Sequence, residues 1–199
     1  MACSNVTEQK LKEIVGEEIK GKNKKTDDVI EVRTVKGNVY YKKTGTLPGI
    51  DAQYCHTIAH TAIEGVLYME KGTPLPDFFA ALEKLEQKEV VAQLAQFVVS
   101  VLSCCIENNI AMPDLKPDNV VVLDCGDQSP LEIPVTFRII DLEDIGPLGM
   151  DNNTHTFSIL EIEEQTDIAK KRAARTVFSA VCVVLMLKEL VPENSTLRK

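Results

Sequence analysis

No Cys-x-x-Cys pair, and no other spacing suited to a metal-ligand set, occurs among the six cysteines of this 199-residue chain. Zinc-type sites built on paired thiolates are therefore excluded. Adjacent Cys104 and Cys105 fall inside a helical pattern and read as buried thiols. No apolar segment of the secretory-signal kind follows the N-terminus. The longest uncharged apolar run, Thr176 to Leu187, has twelve residues, short of the roughly 18 or more that a membrane span needs. An excess of positive charge is also lacking, since the formal net charge is −8. Charge-driven binding to nucleic acid or to an acidic membrane is excluded, because nothing over the whole surface offsets phosphate repulsion. The one basic concentration, Lys20 to Lys25, reads as a solvated turn. The expectation is an intracellular protein, cytoplasmic or nuclear, in a reducing compartment, with no nucleic-acid and no membrane partner.

What is present is enough for a globular core. Hydrophobic residues make up 44% and charged ones 26%, which argues against wholesale disorder. The length allows one domain or two small lobes. Thr7 to Ile19 carries Leu11, Ile14, Val15 and Ile19 at helical spacing, which predicts an amphipathic helix. Val29 to Val35 and Val39 to Tyr41, joined by Lys36-Gly37-Asn38, predict a β-hairpin. Alternation along its second strand puts Lys43 on the face of Val39 and Tyr41, with Lys42 on the other. Ile50 to Ile63 reads as one short helix, which would set His56 and His60 four apart on one face. Val66 to Leu75 reads as a buried strand, an acid, a glycine turn and a helix start. Helical patterns follow over Asp77 to Gln87 and Glu89 to Ile106, the second ended by Asn108-Asn109. Val120 to Leu123 and Thr136 to Ile140 predict a strand pair. Thr176 to Leu190 is apolar almost all round and predicts a helix buried on most sides.

Chemistry concentrates in Asp114-Leu115-Lys116-Pro117-Asp118-Asn119, set between the long helix and the Val120 strand. A carboxylate can orient an acceptor hydroxyl or take its proton, a lysine can neutralise phosphate charge, and an amide oxygen can ligate Mg²⁺. These six residues resemble, letter for letter, the second half of the catalytic loop of eukaryotic-type protein kinases. A bland polar turn shaped by Pro117 and Asn119 is the competing reading.

The resemblance implies an α+β, protein-kinase-like two-lobe fold. Residues 1–69 would be a reduced, β-rich N-lobe with an N-terminal helix, from which most of the usual helix and one strand are squeezed out. Residues 70–199 would be a truncated, mainly helical C-lobe carrying the catalytic-type loop. It also implies ATP and Mg²⁺ as cofactors. Asp114 and Lys116 would be catalytic, and Asn119 and Asp141 would bind the metal, with Asp144 the alternative to Asp141. Lys43, or else Lys42, would hold the nucleotide phosphates, and the backbone of Met69, Glu70 and Lys71 would meet the adenine.

Departures from the kinase pattern are equally legible. The first hairpin shows only Gly37 at its tip, so the glycine-rich phosphate loop is absent or rebuilt. Asp51 is the one acid between Lys43 and Ile63. Met112 and Pro113 replace His-Arg, Asp141-Leu142-Glu143 replaces Asp-Phe-Gly, and no Ala-Pro-Glu closes the polar segment from Gly146 to Lys171. Thr176 stands where kinases place an aspartate that braces the catalytic loop. The expected function is an ATP-dependent Ser/Thr-type protein kinase acting on a protein substrate. One alternative is a catalytically inactive mimic that binds a partner kinase or its substrate through an uncovered C-lobe helix. Another is a small-molecule phosphotransferase, because Ile140-Asp141-Leu142-Glu143 is also similar to the pattern of choline- and aminoglycoside-kinase-like enzymes.

Overall fold

The computed structural model describes residues 15–19, 29–34, 39–44, 60–63, 66–70, 72–123, 129–140, 145–150, 156–157 and 159–190. The chain divides into two compact units, Met1–Gly72 and Thr73–Lys199.

Among its described residues, the first unit forms a five-stranded antiparallel sheet in the order β1-β2-β3-β5-β4. Its strands are β1 (Val15–Ile19), β2 (Val29–Thr34), β3 (Val39–Thr44), β4 (His60–Ile63) and β5 (Val66–Glu70). Hairpin β2–β3 forms where β-branched and aromatic residues alternate, with Val29 opposite Lys43 and Arg33 opposite Val39. Three expectations fail in this unit. Val15–Ile19 is a strand, not the end of a helix, and pairs with β2 through an irregular register between Val15 and Glu18. The segment Val-Gly-Glu-Glu-Ile carries a glycine that weakens a helix by about 1 kcal/mol and two β-branched residues that suit a sheet edge. Residues 7–14 of that expected helix lie outside the described residues. His60–Ile63 is likewise a strand, paired with β5 from His60–Met69 to Ile63–Val66. His60 therefore does not share a helix face with His56, which lies outside the described residues. Among the described residues, the first antiparallel strand pair is also β1–β2 rather than β2–β3.

The second unit follows β6 (Gly72–Pro74) with helix α1 (Leu75–Ala81), which has Pro76 in its first turn and buries Leu75 and Phe79. Leu82 is extended, and Glu83 opens α2 (Lys84–Asn108) by a reciprocal cap in which the Glu83 N–H donates to Glu86 Oε2 at 3.1 Å. The helix break thus falls at Leu82–Glu83, not beyond Gln87. Glu83 and Glu86 close this cap with the reciprocal geometry of a capping box, which sets the start of α2 five residues before the second helical pattern begins. Asn109 stops α2 in the left-handed conformation (φ 53°), which asparagine tolerates and β-branched residues do not.

Helix α2 is long and apolar enough, by length and composition, to cross a membrane, a feature that counting only unbroken apolar runs overlooks. Val90, Leu94, Val98, Val101 and Cys105 form its buried face, and Cys104 is buried beside them. Short β7 (Ile110–Ala111) pairs with β10 (Gly146–Pro147), while β8 (Val120–Leu123) and β9 (Phe137–Ile139) pair from Val120–Ile139 to Val122–Phe137. After α3 (Leu160–Glu163) comes α4 (Ile168–Leu190). It starts eight residues before the apolar pattern does, because the carboxylates of Glu163 and Asp167 pair with Lys170, Lys171 and Arg175 in its first turns. Nor is α4 covered all round. Ala180, Val183 and Leu187 are buried, whereas Val177, Val181 and Leu185 stay about half exposed, at 52%, 48% and 49%.

Candidate active site

Four apolar side chains seat the loop that follows α2. Ile110, Ala111, Met112 and Leu115 are all buried, so the turn at Pro113–Asp114 is pinned on both sides. Pro117 then opens a 3-10 turn (Pro117–Asn119) that feeds β8. Burial of this kind fixes the backbone and leaves the polar side chains to one another.

Asp114, Lys116 and Asn119, singled out from the sequence, are brought together. Lys116 Nζ lies 2.7 Å from Asp114 Oδ2, with the two side chains 27% and 7% exposed. Asn119 Nδ2 donates to Asp114 O at 3.0 Å and to Oδ2 at 3.1 Å. A carboxylate this buried is oriented by such donors. A fourth group completes the cluster. Thr156 Oγ1 donates to Asp114 Oδ1 at 2.5 Å, and Lys116 Nζ lies 3.2 Å from that same hydroxyl oxygen. An alcohol thus sits between an acceptor carboxylate and an ammonium group.

With Nδ2 turned to Asp114, Asn119 has Oδ1 left as an oxygen donor, and no hydrogen bond among the described residues uses it. An amide oxygen suits a hard cation such as Mg²⁺. The Ile140 N–H donates to Asn119 O at 2.9 Å, which sets the chain position preceding Asp141 directly across from Asn119. Asp141, Glu143 and Asp144 themselves lie outside the described residues, as does Lys71. Lys43 lies in β3 opposite Leu67, Lys42 opposite Tyr68, and Met69 and Glu70 lie in β5 opposite Tyr41 and Tyr40. All of these belong to the first unit.

Helix α4 holds the loop from the other side. Thr176 Oγ1 accepts the Met112 N–H at 2.9 Å, and Ser179 Oγ donates to Pro113 O at 2.8 Å. Thr176 does stand against the catalytic-type loop, but in the interior of α4 and not at its start. The segment carrying Thr156 is anchored to the same helix, since Arg175 donates to Glu163 Oε1 from Nε at 3.0 Å and to Oε2 from Nη2. Lys171 adds an ion pair to Glu163 at 3.5 Å. Glu163, Arg175 and Ser179 were not legible as site residues. One available signal was that Thr176 and Ser179 are the only hydroxyls in an otherwise apolar run. Nothing in the spacing of Glu163 and Arg175 marks them as a pair.

No protein-family model matches the chain, and no curated protein matches it. Among solved structures it is similar to the Rad53 kinase domain and SCD2 in complex with AMPPNP, at 15% identity and a TM-score of 0.58. It is also similar to the Rad53 kinase domain and SCD2, at the same identity and TM-score. The match covers 89% of this chain and 64% of the first structure, and 94% and 69% for the second. The chain thus spans less than two thirds of the first. The likeness shows the fold, a protein-kinase-like α+β architecture.

Proposed function

We propose that the chain is an ATP- and Mg²⁺-dependent phosphotransferase that acts on serine or threonine hydroxyls of a protein substrate inside the cell. The observation that carries this reading is the Thr156 hydroxyl, which donates to Asp114 Oδ1 at 2.5 Å with Lys116 Nζ 3.2 Å from its oxygen. A substrate alcohol presented to Asp114 in the same manner has its proton directed at the carboxylate and its lone pairs turned away from it. Asp114 orients that alcohol and takes its proton as the new O–P bond forms and the bond from the γ-phosphorus to the bridging oxygen breaks, releasing ADP. Lys116, tied to Asp114, offsets the negative charge of the transferring group. Asn119 holds Asp114 in place through Nδ2 and offers Oδ1 on its other side. ATP would supply the phosphoryl group, and Asn119 and Asp141 would hold Mg²⁺, which would supply charge neutralisation at the phosphate oxygens. By the resemblance to protein kinases, Lys43 would bind the nucleotide phosphates, and the backbone of Met69, Glu70 and Lys71 would meet the adenine. Positioning and electrostatics of this kind supply most of the rate in phosphoryl transfer.

A second reading, a non-catalytic kinase mimic, draws support from the outward face of α4, where Val177, Val181 and Leu185 are about half exposed. Contiguous apolar surface of this sort marks interaction sites. A complex with a cellular kinase that survives Asp114→Asn, with no turnover in the wild type, would favour it. The small-molecule reading rests on Glu143, outside the described residues, and is separated from the first by transfer to choline- or aminoglycoside-type acceptors but not to peptides.

The deciding experiment is thermal unfolding with ATP, in Mg²⁺ and in EDTA, on the wild type and on Asp141→Asn. Nucleotide at a hundred times its Kd stabilises by about 2.7 kcal/mol, a readily measured melting shift. The proposal expects a shift that needs both Mg²⁺ and Asp141, followed by phosphate transfer to a protein or peptide hydroxyl. No shift in any condition would sink it.

A further inference from the structure

The loop carrying Asp114 is held from α4 by two neutral hydroxyls. Thr176 Oγ1 accepts from Met112 N and donates its own proton to Arg172 O, both at 2.9 Å. Ser179 Oγ donates to Pro113 O at 2.8 Å. Thr176 and Ser179 are 2% and 0% exposed, so each of these bonds is made out of water, where an unmet donor or acceptor is costly.

The hydroxyls match the loop they hold. Proline has no N–H, so Met112-Pro113 presents a single backbone donor, the Met112 N–H, and of its two carbonyls Pro113 O is the one that meets α4. A hydroxyl at Thr176 takes the single N–H, and a hydroxyl at Ser179 gives the carbonyl its proton. An aspartate at the Thr176 position would bring two acceptor oxygens and no proton. One N–H cannot satisfy a buried carboxylate, and the Ser179 hydroxyl can serve either the carboxylate or Pro113 O.

We infer that Pro113, Thr176 and Ser179 form a matched, uncharged brace, in which Thr176 and Ser179 are positioning residues that act on Asp114 through the Met112–Pro113 backbone. The catalytic part of this inference rests on the proposed phosphotransferase function, whereas the brace itself is testable without turnover.

The test uses the full chain and two readouts. In kinetics, Thr176→Ser keeps the wild-type kcat, while Thr176→Val and Ser179→Ala each lower kcat by about a hundredfold and leave KM for ATP unchanged. Equal losses in kcat and in nucleotide binding, or no loss in a folded Thr176→Val protein, overturn the positioning role. In thermal unfolding, Thr176→Asp lowers the melting temperature, and adding Pro113→Ala, which supplies a second N–H, recovers part of that loss. A double variant that melts at the sum of the two single shifts overturns the match. If the wild type transfers no phosphate, the proposed function fails by itself and the brace stands or falls on this melting cycle.

Discussion

Thr156 and Asp114, 42 residues apart in sequence, share a hydrogen bond of 2.5 Å in which the threonine hydroxyl is the donor. The same hydroxyl oxygen is 3.2 Å from Lys116 Nζ, so Thr156 fixes the carboxylate and the ammonium group at once. Replacing it with valine keeps the shape and removes both contacts. Thr156→Val is expected to lower kcat by about tenfold, a loss of roughly 1.4 kcal/mol in transition-state stabilisation, with little change in melting temperature because the residue is exposed. A rise in kcat would show instead that the hydroxyl blocks the acceptor position.

Asp114→Asn removes the proton acceptor while keeping size, and turns one of the two acceptor oxygens into an NH2 donor. Turnover should fall by about 10²- to 10⁴-fold, the usual contribution of a positioned base. The ATP-dependent melting shift should remain. Steady-state kinetics beside thermal unfolding checks both halves, and undiminished phosphate transfer would remove Asp114 from its assigned role.

Arg175 is 2% exposed and meets Glu163 through two nitrogens. Glu163→Gln leaves a buried guanidinium with a weaker, neutral partner, which should cost about 2 kcal/mol in urea unfolding. It should also loosen the segment carrying Thr156, and so lower kcat. Arg175→Lys should not be silent, because an ammonium group cannot reproduce the two-pronged contact.

Acid should act through Glu86. The Ser129 hydroxyl, 2.6 Å from Glu86 Oε1, and then the Glu83 N–H hold this carboxyl below its ordinary range. A carboxyl depressed in the folded state stabilises the fold above its unfolded value, and the contribution is lost as pH falls through the folded one. The wild type should therefore lose stability more steeply than Glu86→Gln below about pH 4. Parallel curves for the two proteins over that range would rule out the contribution.

Legibility in the sequence followed the range of the interactions. Hairpin β2–β3 declares itself by two β-rich runs about a turn and the pair β8–β9 by short apolar runs, and Asp114, Lys116 and Asn119 lie within six residues of one another, so spacing alone gathers them. Val15–Ile19 was misread because its charges and apolar groups fit a helix locally, while its partner Val32 is reached only in the folded sheet. Thr156 could not be picked from Thr154, Ser158 and Thr166, since nothing local decides which hydroxyl folds onto Asp114. The break at Leu82 was not readable, because glutamate is not among the residues that usually mark an N-cap. Nor was the bond from Ser179 to Pro113, because it joins residues 66 apart.

The apolar character of α2 bears on how the chain is made. Its buried face rests in part on α4, which is synthesised much later. Until α4 emerges, a nascent chain presents a 25-residue helix with the length and composition of a membrane span. The second unit cannot close its core residue by residue behind the ribosome, and it must wait for α4. Shortening the chain anywhere before Leu187 would therefore leave an unfinished core, and chaperones that capture apolar segments would find their binding site in α2.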